Sequence, residues 1–346
     1  MPAVAVPQQT LHPTLVPAAL GRPLERVRLD ARPAPAPRRV HPLAAWSLGA
    51  HIGSGGASEV RAGVHPETGE AVAVKILRRE LRRQRCMRRV FAIEARVPSI
   101  VRHPAIPSVL GSGVLDDGRA WLAMPRIEGV QLSELLAQPA LDADRLRHRV
   151  GLLAQVARAV GSAHRAGVVH ADLKPSNVLV DRDDRAWVID WGLARTAEAA
   201  PQGFAAGTVT GTLGWMAPEQ ARGDEGQVGP GADIWALGCM LWCLLHGEPP
   251  HAHQDPIRGL RRTVRAQAIG GPPDRLDAAS RALWRIAARC LQPDPALRFS
   301  DGCVLADVLG RWMGRTARGG RRPTGTLRGP RASVWAGTTL ELVAPG

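Results

Sequence analysis

Residues 169–178 read VHADLKPSNV. The chain carries 45 lysines and arginines, yet only Lys75 and Lys174 are lysine, and Asn177 is its only asparagine. Two of those three rare residues fall in this one segment. The abundance of alanine and arginine points to a GC-rich coding sequence, in which arginine drifts into any position that needs only a positive charge. A position that keeps lysine then needs a compact ammonium, because ammonium and guanidinium differ in shape and donor geometry.

The neighbours of Lys174 suggest what is being constrained. Asp172 stands two positions before it and Asn177 three after, while Asp190 follows in IDWG behind a short apolar run. A carboxylate beside a substrate hydroxyl can orient it and accept its proton. An amide oxygen and a second carboxylate are hard oxygen ligands of the kind Mg²⁺ takes. An ammonium two residues past the first carboxylate can reach a transferring phosphoryl group. Asparagine supplies a neutral ligand oxygen that aspartate cannot copy.

Upstream, His51–Val60 reads HIGSGGASEV, where Gly53, Gly55, Ser58 and Val60 fit G-x-G-x-x-[GS]-x-V. Glycines in a hairpin let backbone N–H groups approach phosphates closely. Alone this pattern is weak, since a glycine-rich turn is more often only a turn. The other lysine, Lys75, ends VAVK, where a strand-borne ammonium can pair with phosphate oxygens. A solvated strand-edge lysine is the ordinary alternative, but elsewhere in this chain such positions are arginine. Glu94 follows in a helical pattern and can orient Lys75 through an ion pair.

Around these motifs the chain divides by pattern. Residues 1–44 are rich in Pro, Ala and Arg without periodicity and read as a flexible arm. WSLGAHIGSGG, ASEVRAGVH and EAVAVKILR read as three strands joined by turns. Arg79–Arg96, with Leu81, Val90, Ile93 and Val97 near helical spacing, reads as a helix. GVLDDGRAWLAMPRIEG reads as a hairpin turning at Asp117-Gly118. Beyond Gly129 the pattern becomes helical, with Leu146, Val150, Leu153, Val156, Ala157 and Val160 on one face. VLV and AWVID read as short strands, and helices follow to about Met313. Residues 314–346 return to Gly, Arg, Pro and Thr and read as a second tail.

Bulk properties exclude more than they select. A net charge of +14 permits acidic proteins, acidic lipid or nucleic acid as partners, but no RNA-binding signature or paired zinc-finger spacing is present. Nucleic-acid binding is therefore not expected. Five scattered cysteines without a CxxC pair fit free thiols in a cytoplasmic, reducing setting. The first residues lack the pattern of a signal peptide. The most apolar window, Ile234–Leu245, is too short to span a bilayer and reads as a buried helix. His246, His251 and His253 lack further ligand spacing, so a loop reading is preferred over a metal site.

Taken in order, these motifs resemble the eukaryotic-like serine/threonine protein kinases of bacteria. The resemblance covers about residues 46–313. It rests on the glycine pattern, VAVK, Glu94, HxDLKPxN, DxG, Ala217–Glu219 as APE, the DIWALG helix start at Asp233, and Arg298 in DPALRFS. It implies an α+β, bilobal protein-kinase fold with a small β-rich N-lobe (45–124), a hinge (125–128) and a larger helical C-lobe (129–313). It also implies ATP and Mg²⁺ as cofactors and protein serine or threonine as substrate. By the same resemblance, Gly53, Gly55 and Ser58 cover the phosphates, and Lys75 held by Glu94 binds the α- and β-phosphates. Val60, Ala73 and Leu179 enclose adenine, with Met124 as gatekeeper and Pro125, Arg126 and Ile127 as the hinge. Asp172 is the implied catalytic base, Lys174 the γ-phosphate contact, and Asn177 and Asp190 the metal ligands. Thr212 bridges to the catalytic loop, and Glu219 with Arg298 braces the large lobe.

Three positions depart from the family pattern. Ala171 replaces the arginine that precedes the catalytic aspartate and commonly binds a loop phosphate. Trp191 replaces the phenylalanine of DFG, and Ser58 replaces the third glycine. Thr196, Thr208, Thr210 and Thr212 in the activation loop, and Thr324, Thr326 and Ser333 in the tail, remain candidate phosphorylation sites. The arginine run from Arg78 to Arg89 reads as a solvated helix face, or as a docking surface for an acidic protein regulator. The alternative function is a pseudokinase scaffold, whose usual sign is loss of Lys75, Asp172 or Asp190. A small-molecule phosphotransferase would lack the DLKP lysine and the APE segment.

Overall fold

The computed structural model describes residues 42–138, 142–196, 211–267, 269–272 and 276–318. Thr208, Thr210, Thr324, Thr326 and Ser333 lie outside the described residues, as does the arm up to residue 41. The N-terminal part contains β1 (Ser47–Ser54), β2 (Ser58–Val64), β3 (Ala71–Leu77), α1 (Arg85–Ile100), β4 (Gly111–Val114) and β5 (Ala120–Pro125). Its five strands form one antiparallel sheet in the order β1-β2-β3-β5-β4. The hairpin between β4 and β5 turns at Gly118, whose φ of 86° suits a residue without Cβ.

The alternation of β3 explains how this sheet serves two purposes. Val72, Val74 and Ile76 point to one face, where Leu43, Trp46 and Trp121 bury them. Ala73, Lys75 and Leu77 point to the other. There Leu77 and Leu122 meet Met87 and Phe91 of α1. Leu43 lies inside the stretch read as the arm, yet it is buried in this core.

The helix expected over Arg79–Arg96 is divided. Arg79–Leu81 is a single 3-10 turn, Gln84 is extended, and α1 runs from Arg85 to Ile100. Its buried residues are Met87, Phe91, Glu94 and Val97, spaced four, three and three apart. The core-facing stripe therefore differs from Leu81, Val90 and Ile93, which are only half-buried. Glu94 is thus carried on the inward face.

The C-terminal part is mainly helical. It comprises β6 (Gly129–Gln131), α2 (Leu132–Ala137), α3 (Ala143–Arg165), β7 (Val168–Val169), β8 (Val178–Asp181), β9 (Ala186–Val188) and β10 (Arg195–Thr196). These are followed by α4 (Pro218–Ala221), α5 (Pro230–His246), α6 (Pro256–Val264), α7 (Ala278–Cys290) and α8 (Gly302–Arg318). β6, β8 and β9 form a small antiparallel sheet, and β7 pairs with β10. α3 starts on Asp142, whose carboxylate accepts from the Arg145 amide. Its apolar stripe, Leu146 to Val160, is buried as one face. α5 is apolar almost all round and is buried from Ala232 to Leu244, which makes it the centre of the core. α8 packs on α3 so closely that a Cβ on Gly161 would collide with the Cys303 amide nitrogen. The architecture is α+β, a sheet-rich N-terminal part followed by a helical C-terminal part.

Candidate active site

The sheet presents the first group of site residues. In register, Val60 faces Lys75 and Lys75 faces Leu122; Ala73 faces Met124 on the same side of the sheet. One face therefore carries Val60, Ala73, Lys75 and Met124 together. Gly53 opposes Val60 at the turn end of the β1–β2 hairpin, and the Gly55 amide donates to the Ser58 carbonyl at 2.8 Å, closing the turn. Ser58 is buried as the first residue of β2. Pro125 ends β5 opposite Val72, the Arg126 amide donates to the Ala71 carbonyl at 3.1 Å, and Ile127 is half-buried. Leu179 is half-buried on β8, in register with Gln131 and Trp187.

Lys75 joins the two parts of the chain. Its Nζ lies 2.7 Å from Glu94 Oε2 and 2.7 Å from Asp190 Oδ1. Burial alone would push the ammonium pKa down, but the two carboxylates outweigh it and hold it well above its ordinary range. For Glu94, burial dominates and Asp190 opposes its charge, so its carboxyl is pushed up to about 7 despite Lys75. For Asp190, burial raises the pKa, but Lys75 wins and the net shift is downward. One ammonium is thus shared by two carboxylates. Glu94 is enclosed, whereas the Asp190 side chain keeps 42% of its surface open.

Asp190 occupies an unusual backbone conformation with φ of 63°. The next residue holds it there. Trp191 is buried, packs on the His170 ring at 4.6 Å, and donates its indole N–H to the Val188 carbonyl at 3.1 Å. His170 in turn accepts the Asp172 amide on Nδ1 at 3.3 Å and donates from Nε2 to the Ile189 carbonyl at 3.1 Å.

The catalytic-loop residues form a closed network. Lys174 Nζ lies 2.9 Å from Asp172 Oδ2 and 2.7 Å from Thr212 Oγ1, and Thr212 donates to Asp172 Oδ1 at 2.8 Å. The Asn177 amide nitrogen donates to the Asp172 carbonyl at 2.9 Å, so that bond does not use its amide oxygen. Asp172, Lys174, Asn177 and Thr212 are all at least nine-tenths buried. Apolar side chains could occupy such places more cheaply, so the burial of these four polar groups is the mark of a candidate functional site. Among the described residues no group of three His, Cys, Asp or Glu side chains could hold a metal ion.

Asp233, which the DIWALG motif marks, is joined in this network by two supports that the sequence motifs do not single out, His164 and Gln220. Asp233, at the start of α5, accepts the backbone amides of His170 at 2.8 Å and Ala171 at 2.9 Å. It also accepts from His164 Nε2 at 2.8 Å, while His164 Nδ1 accepts the Gly302 amide at 3.2 Å. Gln220 donates to the Ala171 carbonyl at 2.6 Å. In sequence, His164 is simply a polar residue near the end of an apolar helix, and only its buried neighbours reveal its role. Further out, Arg298 donates to both carboxylate oxygens of Glu219, at 2.7 and 2.8 Å, and both side chains are fully buried.

Known proteins resemble this arrangement along most of the chain. Residues 46–309 match the family described as the protein kinase domain. Serine/threonine-protein kinase PknA of Mycobacterium tuberculosis is 32% identical over 303 residues, which is 85% of this chain and 67% of PknA. Serine/threonine-protein kinase PknB of Mycolicibacterium smegmatis is 30% identical over 270 residues, 76% of this chain and 42% of PknB. The matched part thus spans about two thirds of PknA but less than half of PknB. With the ion-paired Lys75 and the Asp172–Lys174–Asn177 loop in one fold, the chain belongs to the protein kinase family and is a serine/threonine kinase of the eukaryotic-like kind found in bacteria.

Proposed function

We propose that the reaction runs on Asp172, with ATP and Mg²⁺ as cofactors and serine or threonine hydroxyls of proteins as acceptors. The observation that carries this reading is the network in which Asp172 is fixed by Lys174 and Thr212 and backed by Asn177. Asp172 orients the acceptor hydroxyl and takes its proton as its oxygen bonds to the γ-phosphorus of ATP and the bond from that phosphorus to the bridging oxygen breaks, releasing ADP. Lys174 meets the charge on the transferring phosphoryl group. Lys75, set by Glu94, takes the α- and β-phosphates, with Gly53, Gly55 and Ser58 covering them. Val60, Ala73, Met124 and Leu179 enclose the adenine, and Pro125, Arg126 and Ile127 supply hinge backbone. Kinase catalysis is mainly positioning and charge stabilisation, so fixed polar groups are what it needs.

The donor set fits a magnesium ion. Asn177 and Asp190 offer two hard oxygens, and Mg²⁺ ordinarily completes its shell with phosphates and water. When bound, it neutralises phosphate charge. Asp190 has an exposed carboxylate available for this, and Lys75 is its present counter-charge. The pseudokinase alternative finds no support, since Lys75, Asp172, Asn177 and Asp190 are all in place.

We further take residues 45–313 as the catalytic domain, flanked by the arm and the tail. Among the described residues no helix is long and apolar enough to cross a membrane. Five free thiols support a cytoplasmic, reducing location. The test is transfer of label from γ-labelled ATP with Mg²⁺ to a generic protein substrate, followed by phosphoamino-acid analysis. Labelled serine or threonine is expected, and Lys75→Met should remove it. Labelling that survives Lys75→Met would discard the assignment.

A further inference from the structure

Between Arg78 and Arg89 the chain carries seven arginines and one acidic residue, Glu80. Some arginines elsewhere on the described surface do find carboxylates: Arg158 lies 3.1 Å from Asp307, Arg182 3.1 Å from Glu128, and Arg222 2.8 Å from Asp224. None of the seven has a carboxylate within ion-pair range among the described residues. Asp117, whose charge is felt at Arg79, is bound instead by Arg119 at 2.8 Å.

This arrangement is unfavourable for the protein alone. Because Met87, Phe91, Glu94 and Val97 turn inward, Arg85, Arg88 and Arg89 share the outer face at three- and four-residue spacing. Like charges so placed destabilise a helix. They also crowd the positive end of the helix dipole. α1 has no acidic residue in its first turn, and Gln84 makes no side-chain cap. Each feature is relieved by a partner carrying negative charge.

We propose that this surface docks an acidic polypeptide segment, whose carboxylates supply the counter-charges that the chain withholds. The only aromatic residue near the run, Phe91, is buried beneath it. Single-stranded nucleic acid is usually gripped through exposed rings on which bases stack, and none is offered here. The surface is also wired to the catalytic face. Arg78 Nε donates to the Gly55 carbonyl at 3.1 Å in the glycine-rich turn, and the Arg78 amide donates to Ala57 at 2.9 Å. α1 itself carries Glu94 to Lys75. A docked acidic segment therefore removes repulsion from the helix that positions Glu94. Docking is independent of how the reaction is assigned, because it can be read without turnover.

The experiment uses the full chain and a fluorescent glutamate-rich peptide, with binding followed by anisotropy. Arg83, Arg85 and Arg88 are exposed and touch no part of the active site. The triple variant Arg83→Glu, Arg85→Glu, Arg88→Glu should weaken binding by about tenfold or more. Arg83→Gln, Arg85→Gln, Arg88→Gln should weaken it less, and serves if the reversed variant does not fold. A control triple on α6 and its C-cap, Arg261→Glu, Arg262→Glu, Arg265→Glu, makes the same change in net charge at exposed positions and should leave affinity nearly intact. Equal losses in the α1 and α6 variants would show bulk charge attraction and overturn the proposal. So would unchanged affinity in both α1 variants, or tighter binding of a single-stranded RNA of matched charge through the same arginines.

Discussion

Trp191 donates its indole N–H to the carbonyl of Val188, three residues earlier and across the turn that carries Asp190. A phenylalanine there has no hydrogen to give. Trp191→Phe should therefore leave the Val188 carbonyl unsatisfied and open space beside His170. A cost of about 1–3 kcal/mol is expected. Because the tie spans Asp190, hydrogen exchange at residues 189–193 should accelerate and the KM for ATP should rise. Unchanged exchange in Trp191→Phe would show that packing alone holds this turn.

The Glu219–Arg298 pair makes a different prediction. Both side chains are fully buried, and Arg298 also donates to the carbonyls of Gly231, Gln292 and Pro293. Removing one partner leaves an uncompensated buried charge, which costs about 3–5 kcal/mol. Glu219→Ala should lower the denaturant midpoint accordingly, and Arg298→Met should do the same. A loss below about 1 kcal/mol in both would mean that water reaches the pair.

Asp233 gives the fold a pH dependence. Burial alone would raise its carboxyl pKa, but the hydrogen bond from His164, the neighbouring imidazoles and the His170 amide outweigh burial and hold it below its ordinary 3.8. A depressed pKa means that the ionised carboxylate stabilises the fold. That contribution is complete above about pH 4 and is lost as pH falls through the folded value. Asp233→Asn should lower the thermal midpoint at neutral pH and flatten its decline in acid. It should also cut activity, since Asp233 holds the amides of His170 and Ala171. A variant with the same acid profile as the unaltered protein would contradict this.

Ala171 sets a prediction about control. Ordering a loop by phosphorylation needs a cation waiting for the phosphate. At this position there is a methyl group, and its backbone carbonyl is held by Gln220. Phosphatase-treated enzyme should therefore keep the initial rate of untreated enzyme, as should the double variant Thr208→Ala, Thr210→Ala. Near-complete loss in both would mean that another arginine reads a loop phosphate.

The parts legible in the sequence were those written in rare residues and strict periods. Lys75, Lys174 and Asn177 stood out because arginine fills almost every other basic position. VAVK marked Lys75 as strand-borne, and the sheet register then sets it on one face with Ala73. α1 was less legible. Its stripe of Met87, Phe91, Glu94 and Val97 includes a carboxylate, so apolar spacing alone points to Val90 and Ile93 instead. Beyond Asp233, the supports of the catalytic loop were not legible. His164, Gln220 and Gly302 act through contacts between residues far apart in the chain, which no local pattern records.

The central claim is that Asp172 carries the transfer of phosphate to protein hydroxyls. Its most direct measurement is the rate of label transfer from γ-labelled ATP with Mg²⁺, for the full chain beside Asp172→Ala, with ATP binding measured in both. The account predicts that Asp172→Ala binds ATP nearly as well and loses about 10²–10⁴-fold in rate. Full activity in Asp172→Ala would contradict it.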